Sequence, residues 1–203
     1  NFSFGKKFSP HSDWVNDAMQ YAAEKDVLIV NAAGNSANNI DLSENKSYPS
    51  DNFDGKEFIN NMITVGASTF RFDSTQVASF SNYGSKNVDI FAPGFQVYSS
   101  IRDGKFKYNN GTSMAAPHIS GVAAVLRSFY PKLSASSIKS IILNSGISMN
   151  EKLKEPGSEN ILEPNSMSVT GKTANLYNAL IYASIFKKND PKGSLNKYKS
   201  IIK

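Results

Sequence analysis

Cysteine is absent from this chain of 203 residues. That excludes disulfide staples, thiol catalysis and Cys-ligated zinc, although it says little about compartment. Also missing is any apolar run of the ~18 residues that a membrane-spanning helix needs, so no membrane span is expected. No secretory leader is legible: Asn1-Phe2-Ser3-Phe4-Gly5 has neither an initiator methionine nor a basic-then-apolar organisation. Histidine is scarce, with only His11 and His118 to supply an imidazole base. Basic charge is lacking where it would matter for nucleic acid. Of the formal +5, residues 187–203 account for all, with six lysines and one aspartate; the remaining body balances 16 basic against 16 acidic residues. A nucleic-acid face would need its charge on the folded body, so no nucleic-acid partner is expected.

What remains is ordinary globular composition, 40% hydrophobic and 19% charged, enough to bury a substantial core. Trp14, Val15, Ala18, Met19, Ala22 and Ala23 recur at helical spacing. They predict an amphipathic helix over Ser12–Glu24, capped by Ser9 or Ser12. Val27-Leu28-Ile29-Val30 is a continuous apolar run, as in a strand covered on both faces. Met62-Ile63-Thr64-Val65 and Val88-Asp89-Ile90-Phe91 are further strand candidates. Helices are predicted from Ser113 onward, over Ser136–Leu143 with Ser134 as cap, and over Asn175–Phe186. Strands interleaved with helices predict an α/β layer structure around a parallel sheet. No repeat is visible. Residues 144–171 read as irregular surface loop, and 187–203 as a Lys-rich solvated tail or linker.

The most informative string is Gly111-Thr112-Ser113-Met114-Ala115-Ala116-Pro117-His118. A bendable Gly-Thr lead-in brings the chain to Ser113, and an apolar helical run follows. The hydroxyl would therefore stand at a helix N-terminus, where unpaired N–H groups and the positive dipole end face an incoming oxyanion. An acyl-transfer enzyme would keep its nucleophile there; the plain alternative is an N-cap serine without chemistry.

This string resembles the nucleophile signature of subtilisin-like serine proteases, the subtilases. Ala32-Ala33-Gly34-Asn35, Ser79-Phe80-Ser81-Asn82-Tyr83-Gly84 and Asp89-Ile90-Phe91-Ala92-Pro93-Gly94 resemble other segments of that family in the same order. The resemblance runs from Asn1 to about Tyr182 and begins midway through the family's catalytic domain. It implies the C-terminal part of a parallel-sheet, three-layer subtilisin-like fold over residues 1–186. Asn1-Phe2-Ser3 would be the end of a central strand, and the fragment would expose an unpaired sheet edge.

The resemblance implies Ser113 as nucleophile and Asn35 as side-chain donor of the oxyanion hole, although Asn35 also suits a turn. Ser3-Phe4-Gly5 would add a substrate as an extended strand, and Ala32-Ala33-Gly34 would leave room for the side chain preceding the scissile bond. Met114 should oxidise and crowd the site. His118 lies five residues along the same helix, ~7.5 Å of rise and ~140° of rotation from Ser113, so it points away and is expected to pack structurally. His11 sits in a polar loop unlike the family's catalytic histidine. Pro117 is expected in the first helical turn. Asp89 matches a structural position, and the Asp51, Asp54 and Glu57 cluster reads as solvated loop rather than a cation site.

The expected function is serine endopeptidase chemistry on protein or peptide substrates through an acyl-enzyme. No cofactor is required, and structural calcium is compatible with the family. Both the aspartate and the histidine of the triad would precede this region, so the missing N-terminal part is an expected partner and the chain alone is expected to be inactive. The alternative is a non-catalytic, subtilase-like peptide-binding module. The family implies a secreted or cell-envelope location. The pocket floor that sets side-chain preference would lie within Ser36–Asn61, where the resemblance is poor.

Overall fold

The computed structural model describes residues 1–53 and 56–202. Helix α1 (Ser12–Glu24) precedes strand β1 (Ile29–Ala32). A short ribbon of β2 (Asn52–Phe53) and β3 (Lys56–Glu57) leads to β4 (Met62–Ser68) and β5 (Ile90–Pro93). A hairpin of β6 (Val97–Ser100) and β7 (Phe106–Asn109) then enters the long helix α2 (Thr112–Phe129), followed by α3 (Ala135–Ser145). The remainder comprises β8 (Ile147–Ser148), β9 (Leu153–Lys154), β10 (Ile161–Leu162), α4 (Pro164–Met167), β11 (Lys172–Thr173), α5 (Leu176–Ile185) and α6 (Pro191–Ile201).

The central sheet runs β1-β4-β5-β11-β8. Its first four strands are parallel, with Ile29 opposite Met62 and Val65 opposite Ile90, and β8 closes it antiparallel. All seven residues of β4 are buried, as a strand covered on both faces requires. Alternation divides its side chains. Ile63, Val65 and Ala67 join Ile90 and Ala92 against Ala115, Ala116, Ile119 and Leu126 of α2 and the buried faces of α3 and α5. On the opposite face Met62 meets Met19 of α1, and Phe91 meets Ala33, Val77, Tyr83 and Met167. Helices thus cover both faces of a mainly parallel sheet. At the β1 edge, Phe2 adds one parallel bridge through Phe2 N–H to Val30 O (2.7 Å) and Ala32 N–H to Phe2 O (3.0 Å).

Several expectations are corrected. The first strand lies two residues later than its apolar run suggests, because Val27 is exposed while Asn31 and Ala32 are buried in β1. The N-cap position of α1 is His11, without a side-chain cap, rather than Ser9 or Ser12. Of the apolar face of α1 only Met19 is fully buried, and Trp14, Val15 and Ala18 are exposed. Ser134 does cap α3, its side chain accepting from Ser137 N–H. Residues 144–171 are not surface loop throughout: Met149, Leu153, Met167 and Ser168 are buried. The segment expected as a solvated tail carries α6, whose Tyr198 is buried against the Tyr182 ring (centroids 4.9 Å apart). Among the described residues no helix is long and apolar enough to cross a membrane.

Candidate active site

Gly111 is the N-cap of α2 with φ 148°, a conformation that side chains disfavour. A Cβ on Gly111 would lie 3.3 Å from Asn35 Nδ2 and 3.6 Å from the backbone nitrogen of Ser113. Both nitrogens therefore flank the space that the absent side chain leaves open. Thr112 fixes which end of the Asn35 amide faces that space. Asn35 Oδ1 accepts from Thr112 N–H (2.8 Å) and from the Thr112 hydroxyl (2.9 Å). The carbonyl is thereby occupied, and no hydrogen bond among the described residues uses the amide nitrogen. Thr112 Oγ1 in turn accepts from Gly34 N–H (3.0 Å), tying the carboxyl end of β1 to the start of α2.

Buried Asn82 holds the turn that carries Asn35. Its Oδ1 accepts from Ser36 N–H (3.1 Å) and Asn38 N–H (3.0 Å), and its Nδ2 donates to Ala33 O (2.8 Å). Gly34, with φ 101°, is required beneath it: a Cβ there would stand 2.5 Å from Asn82 Nδ2. Neither Thr112 nor Asn82 is singled out by the sequence, although both lie inside the strings that carry the family resemblance. A short polar side chain flanked by a glycine and a buried strand was the available signal.

Ser113 is clasped by the N-terminal segment. Its Oγ donates to Ser3 O (3.3 Å), and Ser3 Oγ donates to Ser113 O (3.1 Å). Pro117 explains why that carbonyl is free. It is the sixth residue of α2 rather than part of the first turn, so its missing N–H would otherwise have bonded Ser113 O. Ser3 supplies the lost donor.

The structure gathers Ser3, Phe4, Gly5, Ala32, Gly34, Asn35 and Ser113 around one cavity of about 220 Å³. Ala33 does not line it; buried, it faces a neighbouring cavity of about 340 Å³. Met114 is half-buried, with its sulfur 3.7 Å from the Gly111 Cβ position. Neither histidine reaches the Ser113 hydroxyl in a hydrogen bond. His118 is exposed rather than packed, its Nδ1 2.8 Å from Met114 O one turn back, and His11 stacks on Trp14 with centroids 4.5 Å apart.

The acidic cluster is not a solvated loop. Lys139 of α3 lies 3.7 Å from Asp51, 3.0 Å from Glu57 and 3.7 Å from Asp89, and all but Glu57 are buried. Asp54 lies outside the described residues. Burial pushes the Asp51 carboxyl up to about 7 and that of Asp89 up to about 6, against the lowering pull of Lys139. Burial alone would lower Lys139, but the surrounding carboxylates hold its pKa above the ordinary value. Asp89 also accepts from Thr64 N–H (2.7 Å), which locks β5 to β4. This donor set does not fit calcium, because a lysine ammonium already supplies the cation. Among the described residues no group of three or more His, Asp or Glu side chains is arranged to hold a metal ion.

Comparison with known proteins identifies the family. The sequence model of the Subtilase family matches residues 1–179, and the chain belongs to that family. It is 39% identical over 118 residues to the thermophilic serine proteinase of Bacillus sp. (strain AK1), covering 58% of this chain and 25% of that protein. It is 34% identical over 129 residues to the major intracellular serine protease of Bacillus subtilis (strain 168), covering 61% of this chain and 37% of that protein. Among solved structures, a cold adapted subtilisin-like serine proteinase superposes with a TM-score of 0.61 at 28% identity, over 84% of this chain and 54% of that one. The chain thus spans well under half the length of these two relatives.

Proposed function

We propose that this chain forms the C-terminal part of a serine endopeptidase domain that hydrolyses peptide bonds through an acyl-enzyme on Ser113. The carrying observation is the Asn35 amide, turned by Thr112 so that its NH₂ stands beside the Ser113 N–H across the gap at Gly111. Two donors flanking one space at a helix N-terminus suit the negative oxygen of a tetrahedral intermediate. Ser113 Oγ adds to the scissile carbonyl and loses its proton to a base; the base returns that proton to the departing amine, and water then cleaves the ester. The base and the carboxylate that orients it belong to the preceding part of the whole protein. Supporting this, Phe2, Phe4, Phe8, Trp14, Val15 and Val27 are left exposed on α1 and the segments flanking it. A secreted or cell-envelope location does not follow from the family, since one relative is named intracellular.

The test uses the whole protein with casein. Ser113→Ala should lower kcat on the order of 10⁶-fold, as loss of the serine does in subtilisin. Residues 1–203 alone should show no hydrolysis above their own Ser113→Ala control. A Ser113→Ala whole protein that cleaves as fast as the parent refutes the proposal, and a whole protein that binds peptide without Ser113-dependent cleavage is a peptide-binding module.

A further inference from the structure

The cavity at Ser113 has a one-sided charge. Lys6, Lys7 and Lys46 line it, and no aspartate or glutamate does. None of these three lysines forms an ion pair among the described residues. Among the described residues only Arg127, Lys139 and Lys154 are held in ion pairs, so what sets this cavity apart is that three lysines and no carboxylate line it. The remaining wall is polar. Ser36, Asn38 and Ser47 also line the cavity, and no hydrogen bond among the described residues uses their side chains. The backbone of the wall is fixed, since Lys6 and Tyr48 exchange N–H···O bonds of 3.0 and 2.9 Å, and Asn82 pins the turn opposite. A small, preformed pocket with idle donors and uncompensated positive charge matches a carboxylate side chain.

We propose that this pocket selects glutamate or aspartate as the residue whose carbonyl Ser113 attacks, with Lys46 as the specificity-determining side chain. The proposal rests on the reading of Ser113 as nucleophile. Lys46 is favoured over Lys6 and Lys7 because it alone of the three also borders the neighbouring 340 Å³ cavity behind Ala33. The carboxylates on that cavity are exposed Asp13 and half-buried Asp41, the latter already accepting from Ser85, Lys86 N–H and Asn87.

The experiment measures kcat/KM of the whole protein on Ala-Ala-Pro-X-p-nitroanilides with X = Glu, Gln and Lys. Glu should exceed its neutral isostere Gln by about tenfold, the equivalent of ~1.4 kcal/mol, and Lys by more. Raising salt from ~0.1 to ~1 M, which shortens the screening length from ~10 to ~3 Å, should shrink the ratio. Lys46→Met should abolish the Glu/Gln ratio, and Lys46→Glu should invert the Glu/Lys order. In parallel, fluorescence anisotropy of the labelled product peptides Ala-Ala-Pro-Glu and Ala-Ala-Pro-Gln is measured on the Ser113→Ala whole protein, where the Glu peptide should bind more tightly. Ser113-dependent cleavage that favours Gln or Lys, or equal binding of the two peptides, overturns this proposal and leaves the nucleophile standing. Tighter Glu-peptide binding that requires Lys46, with no cleavage of any substrate, upholds the pocket and overturns the protease.

Discussion

Lys139→Met tests the buried ion cluster and has an effect whose size should depend on pH. At an effective dielectric of ~20, each 3.7 Å pairing of Lys139 with Asp51 or Asp89 is worth roughly 4 kcal/mol of gross attraction. Most of that is offset by taking three charged groups out of water, but deleting one partner of such a cluster typically costs about 3–5 kcal/mol. The sign follows from the carboxyls. Asp51 at about 7 and Asp89 at about 6 stand above their unfolded value near 3.8. The native state therefore holds more protons, and their contribution is full below pH ~4 and is lost as pH rises through about 6 and 7. Lys139 moderates that loss by favouring the ionised forms. Without it both carboxyls rise further. At pH 5 they are largely protonated in either protein, and Lys139→Met should cost under ~1.5 kcal/mol. At pH 8 the cost should reach about 3–5 kcal/mol, a fall of roughly 2 M in the urea midpoint for a slope of ~2 kcal/mol/M. Urea unfolding at pH 5, 6.5 and 8 reads this directly. An equal loss at pH 5 and pH 8, or an unchanged midpoint at pH 8, refutes the electrostatic account.

Three further expectations concern the site in the whole protein. Asn35→Leu should lower kcat by ~10²–10³ with little change in KM on a peptide p-nitroanilide, because the role proposed for its NH₂ is in the transition state; a comparable rise in KM instead would assign it to ground-state binding. Gly111→Ala sets a methyl group 3.3 Å from Asn35 Nδ2 and 3.6 Å from Ser113 N at a strained φ. It should cost at least ~10-fold in kcat, and full activity would show that the oxyanion lies elsewhere. Peroxide should inactivate in step with oxygen uptake at Met114, read by mass spectrometry, and a Met114→Leu variant should resist; full activity after complete oxidation contradicts this.

How much of this was legible in the sequence depended on the range of the interactions. The helix of Ser113, the strands around Met62 and Ile90 and the cap at Ser134 follow from local periodicity and cap chemistry. The strings around Ser113 and Asn35 carried the family. Thr112 was read only as a flexible lead-in, because its two partners are 77 and 78 residues away and leave no local signature. Met149, Leu153 and Met167 are single apolar residues in or beside short strands and a one-turn helix, and such residues show no period until tertiary contacts bury them. Lys139 reads as the polar side of a helix. Only the fold brings Asp51 and Asp89 to it, so a buried cluster looked like loop charge. Helix α6 was hidden by its lysines, since only Tyr198 and Ser194 are fully buried and Leu195 alone adds a partly buried apolar contact to the core.

The long reach of these bonds bears on how such a chain could be made safely. Every link that positions the candidate centre joins distant parts of the sequence: Asn35 and Gly34 to Thr112, and Ser3 to Ser113 across 110 residues. Contacts of such separation carry a large loop-closure cost and form together with the long-range docking of α2 on the sheet rather than locally. Until then the hydroxyl, the amide and the cleft wall are scattered along an open polypeptide. On the protease reading proposed above, a cell making the whole protein would hold the nucleophile and its amide partner apart during synthesis and early folding. On that same reading, peptide cleavage would appear only together with the compact state that is itself hard to digest.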